Sequence, residues 1–158
     1  MKTALLPLIH GDSEILILGT MPGEKAIAQQ EYYANKGNHF WKILFAVFNV
    51  PFSEDYERRR ELLKQHKIAL WEVLATCDRT GSLDHTIKNE VPNNFDELLS
   101  VYPIRCICFD SKSAANFYDK YFSRRADIRY YQFPSPSGVN AHLTLDEKIA
   151  QWRVLKSL

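Results

Sequence analysis

Residues 19–23 of the chain, Gly-Thr-Met-Pro-Gly, are of a type that can bind a ligand through the backbone. Glycine permits a tight turn and lets the backbone approach a ligand closely, so amides here can cradle an anion or a carbonyl oxygen. The segment lacks the glycine spacing of a dinucleotide fingerprint and the Gly-Lys-Ser/Thr of a P-loop. Taken alone, it predicts either a ligand-binding turn or an ordinary connection from a strand to a helix.

Residues 32–41, Tyr-Tyr-Ala-Asn-Lys-Gly-Asn-His-Phe-Trp, place aromatic and carboxamide side chains in a second loop. A tyrosine ring can stack on a base, and an asparagine offers a donor and an acceptor to a base edge. Phe40 and Trp41 begin a helical pattern, and we expect them in the core. His39 is either a phosphate contact or a surface histidine at the helix end.

Residues 134–142, Pro-Ser-Pro-Ser-Gly-Val-Asn-Ala-His, form a third loop in which small and rigid residues alternate. Serine hydroxyls and backbone amides can grip phosphates without any net charge. Val139 is an apolar residue beside Gly138, and such a residue can push into a base stack. The alternative is a proline-rich connection with no binding role.

The elements that would position these loops are four apolar runs with helical patterns between them. The runs predict strands over 14–18, 68–74, 104–109 and 128–133, and their continuous apolar character is typical of a sheet covered on both faces. Helices are predicted over 39–50, 54–66 after Ser53, 95–101, 112–122 after Ser111, and after the capping box at Thr144. The pattern predicts an α/β protein, a three-layer α/β/α sandwich with a central four-stranded, mainly parallel sheet. Ligands bind such sheets at the carboxyl ends of the strands.

Composition excludes several classes of protein. The 158 residues are 46% hydrophobic, which is ordinary for a folded domain, and their net charge of +1 exerts no global attraction on nucleic acid. No apolar segment is long enough to span a bilayer, and residues 1–12 lack the pattern of a secretory leader. Three cysteines are an odd number for a disulfide framework, and the five histidines show no ligand spacing. We therefore expect a single cytoplasmic domain over residues 1–158, with no membrane, metal or cofactor.

These three loops, in this order and on this strand pattern, resemble the uracil-DNA glycosylase superfamily. Residues 19–23 are similar to its first motif, Gly-x-x-Pro-Gly, and residues 38–41 to the Asn-x-Phe-Trp of its mismatch-specific branch. Residues 136–140 resemble the second motif, Pro-Ser-Gly-x-x, which enters the DNA. Further segments over 32–34, 69–74, 77–84 and 87–93 are most similar to the hypoxanthine-DNA (deoxyinosine) glycosylase branch.

The resemblance implies a role for each residue that matches a motif. It implies catalysis by Asn38 and by the backbone at Met21, whose position holds a water-orienting Asn or Asp in many relatives; methionine has only a weak acceptor. Base binding is implied for Gly19, Thr20, Pro22, Gly23, Tyr33 and Asp110, and DNA binding for Ser135, Ser137, Gly138, Val139 and Asn140. Asp110 stands where relatives often carry Asn, and it either accepts a proton or an N–H from a purine or caps the next helix.

The implied activity is that of a monofunctional DNA glycosylase. It would flip out a deaminated base, preferably hypoxanthine, and hydrolyse the N-glycosidic bond to leave an abasic site, acting as a monomer on DNA. No lysine is evident as a Schiff-base nucleophile. The alternatives are a mismatch-specific uracil/xanthine-DNA glycosylase, a DNA-lesion-binding module weakened in catalysis by Met21, and a small α/β enzyme that binds a nucleotide phosphate at residues 19–23.

Overall fold

The structure of the protein, a computed structural model, describes residues 1–139 and 142–158. In chain order, its strands are β1 (Lys2–Thr3), β2 (Ile15–Gly19), β3 (Ile68–Glu72), β4 (Leu74–Asp78), β5 (Lys88–Pro92), β6 (Cys106–Phe109) and β7 (Arg129–Gln132). Its α-helices are α1 (Glu24–Gln29), α2 (Phe40–Val47), α3 (Tyr56–Gln65), α4 (Phe95–Val101), α5 (Lys112–Tyr121) and α6 (Leu145–Trp152). Within the described ranges, no helix is long and apolar enough to cross a membrane.

The centre of the molecule is a four-stranded sheet in the order β3-β2-β6-β7, and all its neighbouring strands are parallel. Alternate residues of β2 face opposite sides of the sheet. Ile15 and Ile17 pack with α2, α3 and α6, while Leu16 and Leu18 pack with α4 and α5. Both faces are therefore covered by helices, and the predicted three-layer α/β sandwich is confirmed.

The predicted strand over 68–74 is in fact two strands, which is a correction. β3 ends at Glu72, and the amides of Val73 and Leu74 then donate to the carbonyls of Gly19 and Thr20. These bonds extend the pairing with β2, and the chain then enters a second, antiparallel sheet in the order β1-β4-β5, where β4 pairs with β1 and β5. A continuous apolar run does not reveal where a strand changes sheets, so the sequence pattern missed this second sheet. It also missed the short helix α1.

Local capping signals explain most of the helix starts. Ser111 accepts a hydrogen bond from the amide of Ala114, and Thr144 forms the predicted capping box at α6. Helix α3 begins two residues later than predicted, because the side chain of Asp55 takes the N-cap position. The hydroxyl of Ser53 instead accepts from the amide of Asp55. The helices are thus held at positions that leave the carboxyl edge of the central sheet open.

Candidate active site

All three loops chosen from the sequence line one cavity of about 780 Å³ at the carboxyl edge of the central sheet. This volume is within the usual range of ligand pockets, about 300–1,000 Å³. The predicted site residues that line it are Gly19, Thr20, Met21, Pro22, Gly23, Tyr33, Asn38, Asp110, Ser135, Ser137, Gly138 and Val139. Asn140 lies outside the described residues. Tertiary folding therefore brings together side chains that are more than a hundred residues apart in sequence.

The turn after β2 requires glycine at its first position. A Cβ atom on Gly19 would lie 2.5 Å from Oε2 of Glu72 and 2.9 Å from Oδ2 of Asp110. Neither the amide of Met21 nor that of Gly23 donates to another described residue, so both donors remain available. The hydroxyl of Thr20 is already used, because it donates to Ser113 over 3.0 Å. The turn can therefore offer backbone donors to a ligand.

Arg79, which the sequence reasoning did not select, clamps the outer side of this turn. Its Nη2 donates to the carbonyl of Pro22 over 2.6 Å, and its Nη1 donates to the carbonyl of Met21 over 3.3 Å. Its Nε donates to the carbonyl of Gly81, and Nη1 lies 3.5 Å from a carboxylate oxygen of Asp84. The guanidinium is fully buried, so these bonds to carbonyls and a carboxylate are what make its burial tolerable. The only sequence signal was its place in a segment similar to the hypoxanthine branch.

Tyr33 supplies the aromatic wall of the cavity. Its ring stacks on Phe40 with a centroid distance of 3.9 Å and an interplanar angle of 15°, and its backbone φ is +55°. The hydroxyl donates to Oδ2 of Asp110 over 2.7 Å. Burial and the nearby carboxyl of Asp110 raise the pKa of Tyr33 well above its usual value, so the phenol stays protonated. The ring is thus held rigidly from one side and from its tip.

Asp110 does not cap helix α5, so that alternative is wrong. Ser111 is the N-cap, and the carboxyl of Asp110 is buried in the cavity wall, with only 8% of the residue exposed. Burial raises the pKa of Asp110 from 3.8 to about 6, although hydrogen bonds from Tyr33 and Ser111 oppose the shift. The position is therefore suited to exchanging a proton near neutral pH.

Glu72 is a second buried carboxyl that sequence reasoning missed. It ends β3, is only 4% exposed and lines the same cavity. Burial, with the charge of Asp110 next in importance, raises the pKa of Glu72 well above its usual value. An acidic residue inside the apolar run 68–74 was the signal that could have drawn attention to it.

Asn38 faces the cavity from the loop before α2. Its Oδ1 accepts from the amide of Phe40 over 2.9 Å, which fixes the carboxamide at the start of the helix. Its Nδ2 forms no hydrogen bond with any residue in the described part of the chain. This nitrogen is therefore an oriented donor that a base or a water molecule can use.

The loop over 135–139 is held by several internal and long-range contacts. The hydroxyls of Ser135 and Ser137 accept from backbone amides two residues further on, so they shape the loop itself. The carbonyl of Pro136 accepts from the amide of His39 over 2.8 Å. Gly138 lies so close to the carbonyl of Gly37 that a Cβ atom would overlap it. The contacts leave Val139 projecting, 91% exposed, at the cavity rim.

Helix α6 supports this loop from below. Trp152 donates from Nε1 to the carbonyl of Pro134, and Lys148 donates to the carbonyl of Ser137 over 3.1 Å. The Lys148 ammonium is buried and lies 3.4 Å from Nδ1 of His39. Burial lowers the pKa of Lys148, and burial together with the charge of Lys148 lowers the pKa of His39. The arrangement favours a neutral His39 beside the loop.

A cavity of this size at the carboxyl edge of a parallel sheet, with an aromatic ring and free amide donors, is the usual place and kind of ligand site in an α/β enzyme. Among the described residues, no group of three or more His, Cys, Asp or Glu side chains could hold a metal ion. The family model described as "Uracil DNA glycosylase superfamily" matches residues 7–156, so the chain belongs to that superfamily. The protein is accordingly a DNA glycosylase, an enzyme that hydrolyses N-glycosyl bonds.

Individual relatives agree with this assignment. A protein of Methanosarcina acetivorans named "Hypoxanthine DNA glycosylase" is 30% identical over 156 residues, which cover 98% of this chain and 97% of the relative. A Methanosarcina barkeri protein of the same name is 36% identical over 118 residues, 73% of this chain and 75% of the relative. The solution NMR structure of a candidate uracil DNA glycosylase from M. acetivorans has a TM-score of 0.82 and 32% identity, with 98% of each chain covered. These matches confirm the resemblance to the hypoxanthine branch and favour neither the lesion-binding module nor the phosphate-binding enzyme.

Proposed function

We propose that this glycosylase removes hypoxanthine from DNA that contains deoxyinosine and leaves an abasic site. The observation that carries the proposal is one cavity in which Tyr33, Asn38 and the turn over 19–23 converge. The names of the two Methanosarcina relatives support the choice of base. In this scheme the enzyme works as a single domain over residues 1–158, as a monomer, in the cytoplasm, where the three unpaired cysteines stay reduced.

In the proposed complex the base leaves the helix and enters the cavity. Unstacking costs a few kcal/mol, and less for a mispaired base such as hypoxanthine. The ring of Tyr33 stacks on the base, while the amides of Met21 and Gly23 donate to its oxygen. Val139 fills the space left in the duplex, with Ser135, Ser137 and Gly138 along the strand. The near-neutral charge of the chain predicts modest, transient affinity for duplex DNA.

Catalysis in this scheme depends on Asn38 and the backbone at Met21. The free Nδ2 of Asn38 orients the attacking water or binds the base edge, because its Oδ1 is held by the amide of Phe40. Met21 cannot replace the polar side chain that many relatives have at its position. A preorganised donor of this kind typically contributes a few kcal/mol to transition-state stabilisation. The limited set of side chains suits a base that departs more easily than adenine.

The experiment that tests this proposal uses labelled duplexes containing deoxyinosine, deoxyuridine or deoxyxanthosine, followed by alkali to cut abasic sites. We expect cleavage at deoxyinosine, and a loss of 10²-fold or more in single-turnover rate for Asn38→Ala, in line with the removal of one positioned donor. Asn116→Ala is the matched control, since Asn116 is exposed on α5. Cleavage at deoxyuridine but not at deoxyinosine would favour the uracil alternative, and full activity in Asn38→Ala would remove Asn38 from the mechanism.

A further inference from the structure

Two carboxyl groups meet on the floor of the cavity. Oε2 of Glu72 and Oδ2 of Asp110 both lie within 2.9 Å of the point that a Cβ atom of Gly19 would occupy. Those distances are 2.5 Å for Glu72 and 2.9 Å for Asp110, and the two carboxyl oxygens lie no farther apart than both distances taken together. No described residue donates a hydrogen bond to the Glu72 carboxyl, although 96% of Glu72 is buried, since its exposed fraction is 4%. A carboxyl that lines the cavity and has no hydrogen-bond donor from the protein can bind a donor of the ligand.

The charges around this pair are mostly negative. The titratable and charged side chains that line the cavity are Tyr33, His39, Glu72, Arg79, Asp84, His85 and Asp110. The charge of Asp84 raises the pKa of both Glu72 and Asp110, whereas the charge of Arg79 lowers the pKa of Glu72. The charge of Glu72 in turn raises the pKa of Tyr32 and of Tyr33. Arg79 is already bound to backbone carbonyls and to Asp84. Such a floor does not stabilise a base that departs as an anion.

Resting on the hypoxanthine specificity proposed above, we propose that Glu72, beside the carboxyl of Asp110, delivers a proton to N7 of the departing purine. N7 is the basic ring nitrogen that hypoxanthine keeps free when N9 is attached to the sugar. A uracil base has no equivalent nitrogen. The pair would therefore be a catalytic acid for purines.

The O–H bond of the carboxyl pair breaks as an N7–H bond forms, and the electron pair of the C1′–N9 bond moves into the purine ring. Water adds its oxygen to C1′ and releases one proton, which returns to the carboxylate pair directly or through solvent. The products are an abasic site and neutral hypoxanthine, and the pair is ready for another turnover.

Protonation equilibria agree with this geometry. Burial and the charge of Asp110 keep the pKa of Glu72 well above its usual value, while the pKa of Asp110 is about 6. Two carboxyls this close do not both ionise easily, so the pair holds its last proton to higher pH than an isolated carboxyl. The hydrogen bond from Tyr33 favours the charged form of Asp110, so Glu72 is the carboxyl of the pair that holds its proton to higher pH. The protonated acid therefore persists to higher pH than that of an isolated carboxyl, and it is lost as the pH rises through the pKa of the pair.

The experiment compares wild type with Glu72→Gln in single-turnover assays on deoxyinosine duplexes. Glutamine keeps the size of the side chain and removes the proton, so we expect a rate loss of about 10²–10⁴-fold. Glu61→Gln, at an exposed position of α3, is the matched control and should retain the wild-type rate. A second substrate, 7-methyl-2′-deoxyinosine, carries a fixed positive charge on its imidazole ring and needs no proton. On this substrate Glu72→Gln should come within a few-fold of wild type.

The outcomes separate this role from the proposed function. Equal rates of deoxyinosine excision in wild type and Glu72→Gln would overturn the proton-donor role alone. An equal loss on the deoxyinosine and 7-methyl substrates would also overturn it, because the defect would then be structural. If Glu72→Gln does not fold, the wild-type enzyme is assayed on 7-deaza-2′-deoxyinosine, which has no N7 to protonate. Cleavage of this substrate as fast as deoxyinosine would exclude N7 protonation. Failure of the wild type on deoxyinosine would overturn both proposals.

Discussion

Replacement of Asp110 by asparagine should make the protein more stable at neutral and alkaline pH. Asparagine can still accept the hydrogen bond from Tyr33 through its carbonyl oxygen, but it carries no charge to bury. The pKa of Asp110 is raised from 3.8 to about 6. Each tenfold change in proton affinity corresponds to about 1.4 kcal/mol, so ionisation of Asp110 costs the folded state about 3 kcal/mol. That amount is a large fraction of the stability of a typical domain, about 5–15 kcal/mol.

The sign of the pH dependence follows from linkage. The folded protein binds the proton of Asp110 more tightly than the unfolded chain does, so protonation stabilises the fold fully below pH 3.8. This contribution is lost as the pH rises through about 6. The asparagine variant does not lose it, so its advantage in free energy of unfolding should be about 3 kcal/mol at pH 8 and about half of that at pH 5.

Urea unfolding followed by circular dichroism at pH 5 and pH 8 measures this advantage. Asp12→Asn, at an exposed position in a turn, is the control and should shift neither curve appreciably. A variant that is less stable than wild type at pH 8 would contradict this prediction. An advantage that does not grow between pH 5 and pH 8 would also refute it, because the stabilisation would then not come from the missing charge.

The remaining predictions concern the residues that hold the loops. Arg79→Lys should lower the free energy of unfolding by about 3–5 kcal/mol and reduce excision, because one ammonium cannot bridge the carbonyls that the buried guanidinium binds. Urea unfolding and single-turnover kinetics test this prediction, and unchanged values would contradict it. Gly138→Ala should weaken binding to a duplex with an abasic analogue, because a Cβ atom would overlap the carbonyl of Gly37, whereas Gly11→Ala, which has open space, should bind normally. Lys148→Met should preserve or raise the melting temperature, since a buried ammonium is removed. It should also weaken binding to the abasic duplex, because the carbonyl of Ser137 loses its donor, and unchanged affinity would argue that Lys148 does not anchor the loop over 135–139.

Much of the fold could be predicted because its signals are local. The continuous apolar runs of β2 and β6 mark buried parallel strands, whereas β7 is a partly exposed strand at the edge of the sheet. The capping side chains of Ser111 and Thr144 mark helix starts within three residues. The loops that follow buried strands then had to meet at one edge of the sheet. For that reason the predicted residues Gly19, Asp110 and Ser135, at the ends of β2, β6 and β7, all line the same cavity.

The exchange of sheets at Val73 and the clamp of Arg79 could not be predicted, because each depends on partners distant in sequence. After Val73 the chain pairs with β1, where Cys77 lies opposite Lys2, and Arg79 binds the carbonyl of Met21 from 58 residues away. A hydrophobic pattern records which residues avoid water, but it does not record which segments they meet. Only the folded chain determines those partners.

The chemistry of the cavity divides in the same way. The sequence by itself determined that backbone donors, an aromatic ring and a carboxamide lie on loops at one edge of an α/β sheet, because glycine turns and apolar strands are local properties. Only the tertiary structure decided that Glu72 and Asp110 share the cavity floor, and that Asp110 faces Tyr33 instead of capping a helix. The physical reason is that the pKa of a carboxyl depends on burial and on distances through space, which are properties of the fold.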